Sequence, residues 1–171
     1  MIKKLDKNTD SFAFWNVPEK EITAGSAYMI ENAFKAVYQP GFPSKYKTQL
    51  TDISQTQFVF IGLNRGNEGN STELGNFHGL LKSADYRLAA AAYKTAAWGA
   101  FMTDISGEIN SKSGEVTVET QDISKLVGRL EEIGIPSTAT LIALGGKVYK
   151  ALAKNNSLVP WHIEHMQHYS K

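Results

Sequence analysis

Polar side chains stand directly after the apolar runs of this chain that read as strands. Asn64, with Arg65 beside it, follows the run 58–63. Asp104 lies at the end of a second predicted strand, and His168 follows another. The carboxyl ends of parallel strands meet at one edge of a sheet, and ligands of α/β proteins bind there. We therefore expect these amide, carboxyl and imidazole groups to face one ligand through hydrogen bonds.

Phe77 adds an aromatic ring to this predicted site. It lies in segment 74–79, between two close glycines, so its ring could approach a planar ligand. Alternatively, the ring is a hydrophobic anchor that holds the loop against the core. The surrounding predicted loop, 64–79, is long and rich in glycine. Loops of this length inside a compact domain are often functional.

Several familiar catalytic signatures are absent from the sequence. The glycines at 62, 66 and 69 do not fit the dinucleotide-binding pattern, and there is no P-loop and no nucleophile elbow. Gly145-Gly146-Lys147 could bring backbone N–H groups to a phosphate at a helix N-terminus. The same glycines could instead simply permit a tight turn between a strand and a helix.

The histidines near the C-terminus do not predict a metal site. On a strand, His162 and His168 would share a face but lie about 20 Å apart, and His165 would point to the opposite face. The chain also has no cysteine, which excludes disulfides and thiolate ligands. We therefore expect no metal and no other cofactor.

Helical and strand patterns alternate along the chain. Apolar residues at helical spacing predict helices over 26–38, 83–97, 120–133 and 147–155, with Ser83 and Thr120 as N-caps. Short apolar runs predict strands over 57–63, 99–105, 138–144 and 158–166. The polar stretch 106–119 is predicted to form a mobile excursion or a short hairpin. The alternation predicts an α/β fold with three layers, α/β/α, around a central four-stranded, mainly parallel sheet.

The bulk composition fits one globular domain. With 171 residues, 42% of them hydrophobic, and a net charge of +1, we expect a single domain over 1–171. Residues 1–50 would form a partly helical extension packed on it, with 1–24 wrapping the surface. No apolar run could span a membrane, and the N-terminus has no secretory signal, so we expect a cytoplasmic protein. We also expect it to be a monomer. The small net charge alone is weak support for nucleic-acid binding.

Taken in order, several segments resemble the motifs of the uracil-DNA glycosylase superfamily. Segment 62–66, Gly-Leu-Asn-Arg-Gly, is similar to the first motif, closest to the G-I-N-P-G form of the mismatch-specific uracil and thymine glycosylases. Segment 75–79 resembles the loop whose aromatic residue stacks on the base, and 101–105 resembles the strand that ends in a base-reading residue. Segment 141–152 resembles the third strand and its helix, and 168–170 stands where the family has H-P-S. The resemblance covers about 57–171 and implies the glycosylase-like fold.

The resemblance implies hydrolysis of an N-glycosidic bond in single- or double-stranded DNA. The target would be a damaged or mispaired base such as uracil, extruded into a pocket because the bond is inaccessible in the duplex. Asn64 would hold the attacking water, and Phe77 would stack on the base. His168 would donate to a base carbonyl and stabilise the departing anionic base.

The same resemblance implies that some of the remaining residues contact the base and that others contact the DNA phosphates. Gly62, Leu63 and Asp104 would line the base pocket with Phe77. Phosphate contacts would come from the residues near the first motif, the β-to-α turn and the C-terminus: Arg65, Gly66, Gly146, Lys147 and Ser170.

Three positions depart from the family pattern. Arg65 and Tyr169 each replace a proline. Asp104 replaces a residue that is often asparagine; an ionised aspartate only accepts hydrogen bonds, so it would take the N3–H of uracil and repel O4. The pocket would then disfavour uracil unless the carboxyl is protonated, prefer a base that presents donors, or lack catalysis. Alternatively, Asp104 caps the next segment through the N–H groups of Ser106 or Gly107.

Two other functions fit the same residues. One is a catalytically inactive nucleic-acid or nucleobase-binding protein of the same fold. The other is a small-molecule hydrolase on an α/β scaffold, because a fold does not fix a function. Nothing after Ser170 resembles the loop with which family members wedge into the duplex, which would weaken activity on intact double-stranded DNA.

Overall fold

A mixed five-stranded sheet forms the centre of the protein. The computed structural model describes residues 4–20, 22, 25–50, 52–66 and 72–170. Its strands are β1 (Ser11–Phe12), β2 (Phe58–Arg65), β3 (Phe101–Ile109), β4 (Thr140–Leu144) and β5 (His162–Met166). Its helices are α1 (Ala27–Val37), α2 (Asp85–Ala92), α3 (Thr120–Ile133) and α4 (Gly146–Lys154), with 3₁₀ turns at Ser44–Gln49 and Ile53–Gln55. The predicted α/β class is confirmed.

The strand order across the sheet is β1-β3-β2-β4-β5. β2 to β5 pair in parallel, whereas β1 pairs antiparallel with β3, with Ser11 opposite Met102. The predicted four-stranded sheet was therefore wrong by one antiparallel edge strand. The prediction that 1–24 wraps the surface was also wrong, because Phe12, Phe14 and Trp15 are buried in the core. A strand of two residues is too short for alternation to reveal it.

The sheet separates two apolar cores. Val59 and Ile61 of β2 belong to the core that contains the buried side chains of α3 and α4. Phe60, between them, belongs to the core that contains those of α1 and α2. Successive side chains of a strand point to opposite faces, so the helices form one layer on each side of the sheet.

Two helix starts differ from the prediction. α2 begins at Asp85 and ends at Ala92, so the predicted cap Ser83 lies outside it and the helix is shorter than predicted. α3 begins at Thr120, and the cap position before it is Glu119, whose backbone N–H donates to the Asp122 carboxylate at 2.9 Å. None of the helices formed by the described residues is long and apolar enough to cross a membrane.

Several strand ends also differ from the prediction. β3 continues to Ile109, into the stretch predicted as an excursion, and residues 110–119 form turns and irregular structure without a hairpin. β5 begins at His162, later than predicted. β2 runs on to Arg65, and residues 67–71 of the predicted long loop lie outside the described residues.

We expect two glycines of the α3 region to respond in opposite directions to alanine. Gly128 lies on the exposed side of α3, and an added Cβ would meet no atom within 4 Å. Gly128→Ala should therefore raise the free energy of unfolding by about 0.5–1 kcal/mol. Gly134 ends the helix with a φ of 88°, so Gly134→Ala should lower it by about 1 kcal/mol. Urea denaturation measures both, and two changes of the same sign would contradict this helix end.

Candidate functional site

One cleft of about 580 Å³ opens at the carboxyl ends of β2, β3 and β4. Small-molecule sites commonly enclose about 300–1,000 Å³. The cleft is formed by segments distant in sequence: the end of β2, the loop before α2, β3 with the residues after it, the β4–α4 turn and the C-terminal residues. Every predicted site residue lines it: Gly62, Leu63, Asn64, Arg65, Gly66, Phe77, Asp104, Gly146, Lys147, His168 and Ser170. Their individual roles stay predictions.

Gly62 lets two other groups approach the backbone of β2. A Cβ at this position would clash with Asp104 Oδ1 and would lie 3.0 Å from Cε1 and Cζ of Phe77. Real Cβ atoms do not approach other atoms so closely, so the space is open only because residue 62 has no side chain. Asp104 Oδ1 and the edge of the Phe77 ring therefore both lie next to the backbone of Gly62.

Phe77 is held in a left-handed backbone conformation, with a φ of 63°. This conformation is strained for an aromatic residue and persists only where its surroundings enforce it. The Phe77 N–H donates to the side-chain oxygen of Asn76 at 3.1 Å, and its carbonyl accepts from the indole N–H of Trp15 at 3.2 Å. The ring packs into the core beside α1 and α2 and also lines the cleft. Phe77 is thus a hydrophobic anchor of its loop, and its stacking on a ligand stays a prediction.

The Asp104 carboxyl group is buried beside Gly62. Its Oδ2 accepts a hydrogen bond from Asn76 Nδ2 at 2.8 Å. Burial raises the pKa of Asp104 to about 7, although the hydrogen bond from Asn76 and the charges of Arg129 and Arg65 act in the opposite direction. The alternative in which Asp104 caps the next segment is wrong, because β3 runs on as a strand and the carboxyl group binds Asn76.

A buried ion pair lies on the opposite face of β3. Asp10 Oδ1 lies 2.8 Å from Arg129 Nη1 and accepts a hydrogen bond from the Thr103 hydroxyl at 2.7 Å. Arg129 also contacts the Thr103 hydroxyl. Burial raises the pKa of Asp10, partly offset by Arg129 and Thr103. Its negative charge is one of the influences that raise the pKa of Asp104.

The Asn64 side chain bridges backbone carbonyl groups at the point where the pairing of β2 and β3 becomes irregular. The register between the two strands shifts between Asn64 and Arg65. The Asn64 amide nitrogen donates to the carbonyls of Arg65, Glu108 and Asn110 at 3.0, 3.4 and 2.8 Å. Because these contacts use the amide hydrogens, the side-chain oxygen is the atom that could accept a hydrogen bond from water. Such bulges are common beside active sites.

The His168 ring is oriented by the residues that follow it. Its Nδ1 accepts the backbone N–H of Ser170 at 3.2 Å and lies 2.7 Å from the Ser170 hydroxyl. Since Nδ1 is an acceptor, the neutral ring carries its proton on Nε2 and can donate there. The ring stacks on Tyr169, with 4.6 Å between centroids. Gly145, with a φ of 94°, allows His168 to lie close to the turn between β4 and α4, because a Cβ on residue 145 would lie 3.2 Å from His168 Cβ.

Asp85 connects the loop of Phe77 to the C-terminal segment. Its carboxylate accepts hydrogen bonds from the Gly79 N–H at 2.6 Å, the Ser83 hydroxyl at 2.9 Å and the Tyr38 hydroxyl at 3.2 Å. Burial, followed by the Asp85 carboxylate, raises the pKa of Tyr169 well above its usual value. Asp85 therefore interacts with both the loop of Phe77 and the C-terminal segment.

Sequence reasoning missed Asn76 and Asp85 as residues of the site. Both are buried, and their partners lie far away in the chain or in turns. An aspartate in the first turn of a helix is common for electrostatic reasons, so Asp85 carried no distinct signal. The glycines around Asn76 marked the loop, but they did not indicate what its amide binds.

Cationic and N–H groups lie at the rim of the cleft. Lys147 Nζ donates to the Ser113 carbonyl at 2.7 Å, which links α4 to the segment after β3. Arg65 Nη2 is buried and has no hydrogen-bond partner among the described residues. The first turn of α4, at Gly146, presents backbone N–H groups that a helix leaves unpaired. Anions bind readily to such groups.

Comparisons with protein-family models, with curated proteins and with solved structures find no match to this chain. The resemblance therefore rests on the sequence motifs alone. Among the described residues, no group of three or more histidine, aspartate or glutamate side chains could hold a metal ion.

We expect Gly62→Ala to disrupt the cleft, whereas Gly66→Ala should leave it intact. The new methyl group at 62 would displace Asp104 or Phe77, and overpacking of this kind costs about 1–3 kcal/mol of stability. Gly66 lies in the same motif, and an added Cβ would meet no atom within 4 Å, so it is the matched control. Thermal denaturation with near-ultraviolet circular dichroism measures both effects. Equal melting temperatures for the two variants would contradict the described approach of Asp104 and Phe77.

We expect the stability of the protein to fall as the pH rises toward 7. The pKa of Asp104 is raised from 3.8 to about 7 by burial, so the folded state binds a proton that the unfolded state has released. The stabilisation is complete below the unfolded pKa and is lost as the pH rises through the folded pKa. Urea denaturation should give a loss of about 1.4 kcal/mol per pH unit between these values from this group.

Asp104→Asn is the control for that measurement. The pKa of Asp10 is raised as well, so the wild-type slope has more than one source, and the difference between the two proteins isolates Asp104. The unfolding free energy of the variant minus that of the wild type should increase as the pH rises from about 4 to 7. A constant difference over this range would contradict the raised pKa.

Proposed function

We propose that this protein is a DNA glycosylase-like hydrolase that removes a damaged or mispaired base, such as uracil, from DNA. The observation that carries the proposal is the convergence of Asn64, Phe77 and His168 on one cleft at the carboxyl edge of the sheet. An aromatic ring can stack on an extruded base, an imidazole N–H can donate to a base carbonyl, and an amide oxygen can hold a water molecule. We extend the proposal to the fold, which would be of the uracil-DNA glycosylase type.

The reaction breaks the bond between C1′ of the sugar and the base nitrogen. The electron pair of that bond passes to the base, and negative charge develops on its carbonyl oxygens. In the proposed mechanism, Nε2–H of His168 donates to one of these oxygens, which stabilises the transition state. Asn64 accepts a hydrogen bond from a water molecule and orients it toward C1′. The water oxygen forms the new bond to C1′, and its proton balances the charge of the departing base.

The rim of the cleft would bind the DNA backbone. Arg65, Lys147 and Ser170 can contact phosphates, as can the backbone N–H groups of Gly66 and Gly146. These contacts position the strand and carry no sequence information. We propose that the protein acts on DNA as a cytoplasmic monomer and needs no cofactor.

A second candidate is a nucleobase-binding protein of the same fold without catalysis. The observation that favours it is that the Asn64 amide already closes the bulge between β2 and β3. This contact gives Asn64 a structural role that needs no reaction. The two candidates predict the same binding and differ in base release.

Base release from oligonucleotides tests the proposed function. Single- and double-stranded oligonucleotides carrying one uracil, hypoxanthine or mismatched thymine are incubated with the protein, and abasic sites are detected by alkaline cleavage. We expect release from at least one substrate, and His168→Ala should lower the single-turnover rate by about 10²–10³-fold because a donor to the developing charge is lost.

His162→Ala is the matched control for His168→Ala. His162 is exposed on β5 and its Nε2 lies 2.7 Å from Glu164, outside the cleft. This variant should release base at the wild-type rate. Oligonucleotide binding without release by the wild type would favour the second candidate, and equal rates for both histidine variants would contradict the assigned site.

A further inference from the structure

The two oxygens of the Asp104 carboxyl group have different surroundings. Oδ2 accepts a hydrogen bond from Asn76 Nδ2 at 2.8 Å. Oδ1 lies over Gly62, beside the edge of the Phe77 ring, at the position that a Cβ on residue 62 would occupy. Gly62, Phe77 and Asp104 all line the cleft. Oδ1 is therefore the oxygen that lies beside the Phe77 ring, on which the base is predicted to stack.

We propose that Asp104 determines which base the site accepts, by donating a proton on Oδ1 to a carbonyl oxygen of the base. The ligand class is then a keto base, with a carbonyl on the edge that faces Asp104. This inference rests on the proposed function only in that the ligand is a nucleobase. Binding alone is enough to test it.

The orientation of Asn76 assigns the proton to Oδ1. The Asn76 side-chain oxygen accepts the Phe77 N–H at 3.1 Å, so its nitrogen must be the atom that faces Asp104. That nitrogen also donates to the Thr9 carbonyl at 2.8 Å, which confirms it as a donor. Oδ2 is therefore an acceptor, and a neutral carboxyl group carries its hydrogen on Oδ1.

The charged groups around Asp104 act in opposite directions. Arg65 of β2 and Arg129 of α3 favour the ionised carboxylate, whereas burial and Asp10 of the N-terminal segment favour the neutral acid. Tyr169 of the C-terminal segment also interacts with Asp104, and its own raised pKa keeps it neutral. Burial is the largest of these influences and places the pKa of Asp104 at about 7.

The proposal predicts opposite pH dependences for two free bases. A neutral acid donates to the O4 carbonyl of uracil, whereas an ionised carboxylate repels it. Cytosine has an amino group at the same place, which an ionised carboxylate accepts and a neutral acid O–H does not. Uracil affinity should therefore fall as the pH rises through 7, and cytosine affinity should rise.

Calorimetric titration of the wild-type protein with free uracil and free cytosine at pH 6 and pH 8 tests this. The protonated fraction of a group with a pKa of 7 changes by about tenfold over this interval. We expect uracil to bind about tenfold more weakly at pH 8 and cytosine to bind more tightly. Affinities that change in the same direction for both bases would overturn the proposal.

Asp104→Asn is the comparison variant, because its amide offers a permanent donor at the position of Oδ1. Uracil binding to this variant should lose the pH dependence that Asp104 contributes, because an amide does not titrate between pH 6 and 8. A full pH dependence in the variant would overturn the proposal. If the variant does not fold, the pH dependences of uracil and cytosine binding to the wild-type protein still test the proposal.

The oligonucleotide assay at the same two pH values separates this inference from the proposed function. Opposite pH dependences for the free bases without release from any oligonucleotide would support the proposal that Asp104 selects the base and contradict hydrolysis. Release of uracil with the same pH profile in wild type and Asp104→Asn would support hydrolysis and overturn the proposal that Asp104 selects the base. Binding of neither base would overturn the assignment of Asp104.

Discussion

The site depends on the absence of a side chain at position 62. β2 carries a glycine where its apolar run ends, and Asp104 Oδ1 and the Phe77 ring occupy the space that a Cβ would fill. Neighbouring strands lie only about 5 Å apart, so a group from β3 can reach across the backbone of β2 only at such a position. β2, β3 and the Phe77 loop therefore meet at one point of the cleft, in the space that the missing methyl group leaves.

Two buried side chains hold the loop and the C-terminal segment of the cleft in place. Asn76 binds Asp104, the Thr9 carbonyl and the Phe77 N–H, and so it fixes a strained loop against β3 and the segment before β1. Asp85 binds the end of that loop, and its charge acts on Tyr169. Buried polar groups stabilise a structure only when their partners are complete. A site built on such contacts is oriented before a ligand arrives, which reduces the cost of binding.

Tyr169, Arg65 and Asp104 each have defined surroundings in the structure. The Tyr169 ring stacks on His168 and its carbonyl accepts from Arg87 at 3.3 Å, so these contacts hold the C-terminal segment at the cleft. Arg65 lowers the pKa of Asp104 by its charge. Asp104 itself is neither a simple cap nor a fully ionised acceptor, because burial opposes its charge.

The sequence alone determined the α/β class and most of the residues that meet in the cleft. Apolar periodicity locates strands, and a polar residue after a parallel strand must lie at the binding edge, so Asn64, Asp104 and His168 could be found by position. The edge strand β1, the roles of Asn76 and Asp85, and the protonation of Asp104 were decided only by the tertiary structure. These features depend on burial and on contacts between residues far apart in the chain, such as Asn76 with Thr9 and Tyr38 with Asp85. No local pattern records them, because desolvation and long-range hydrogen bonding arise only when the layers pack together.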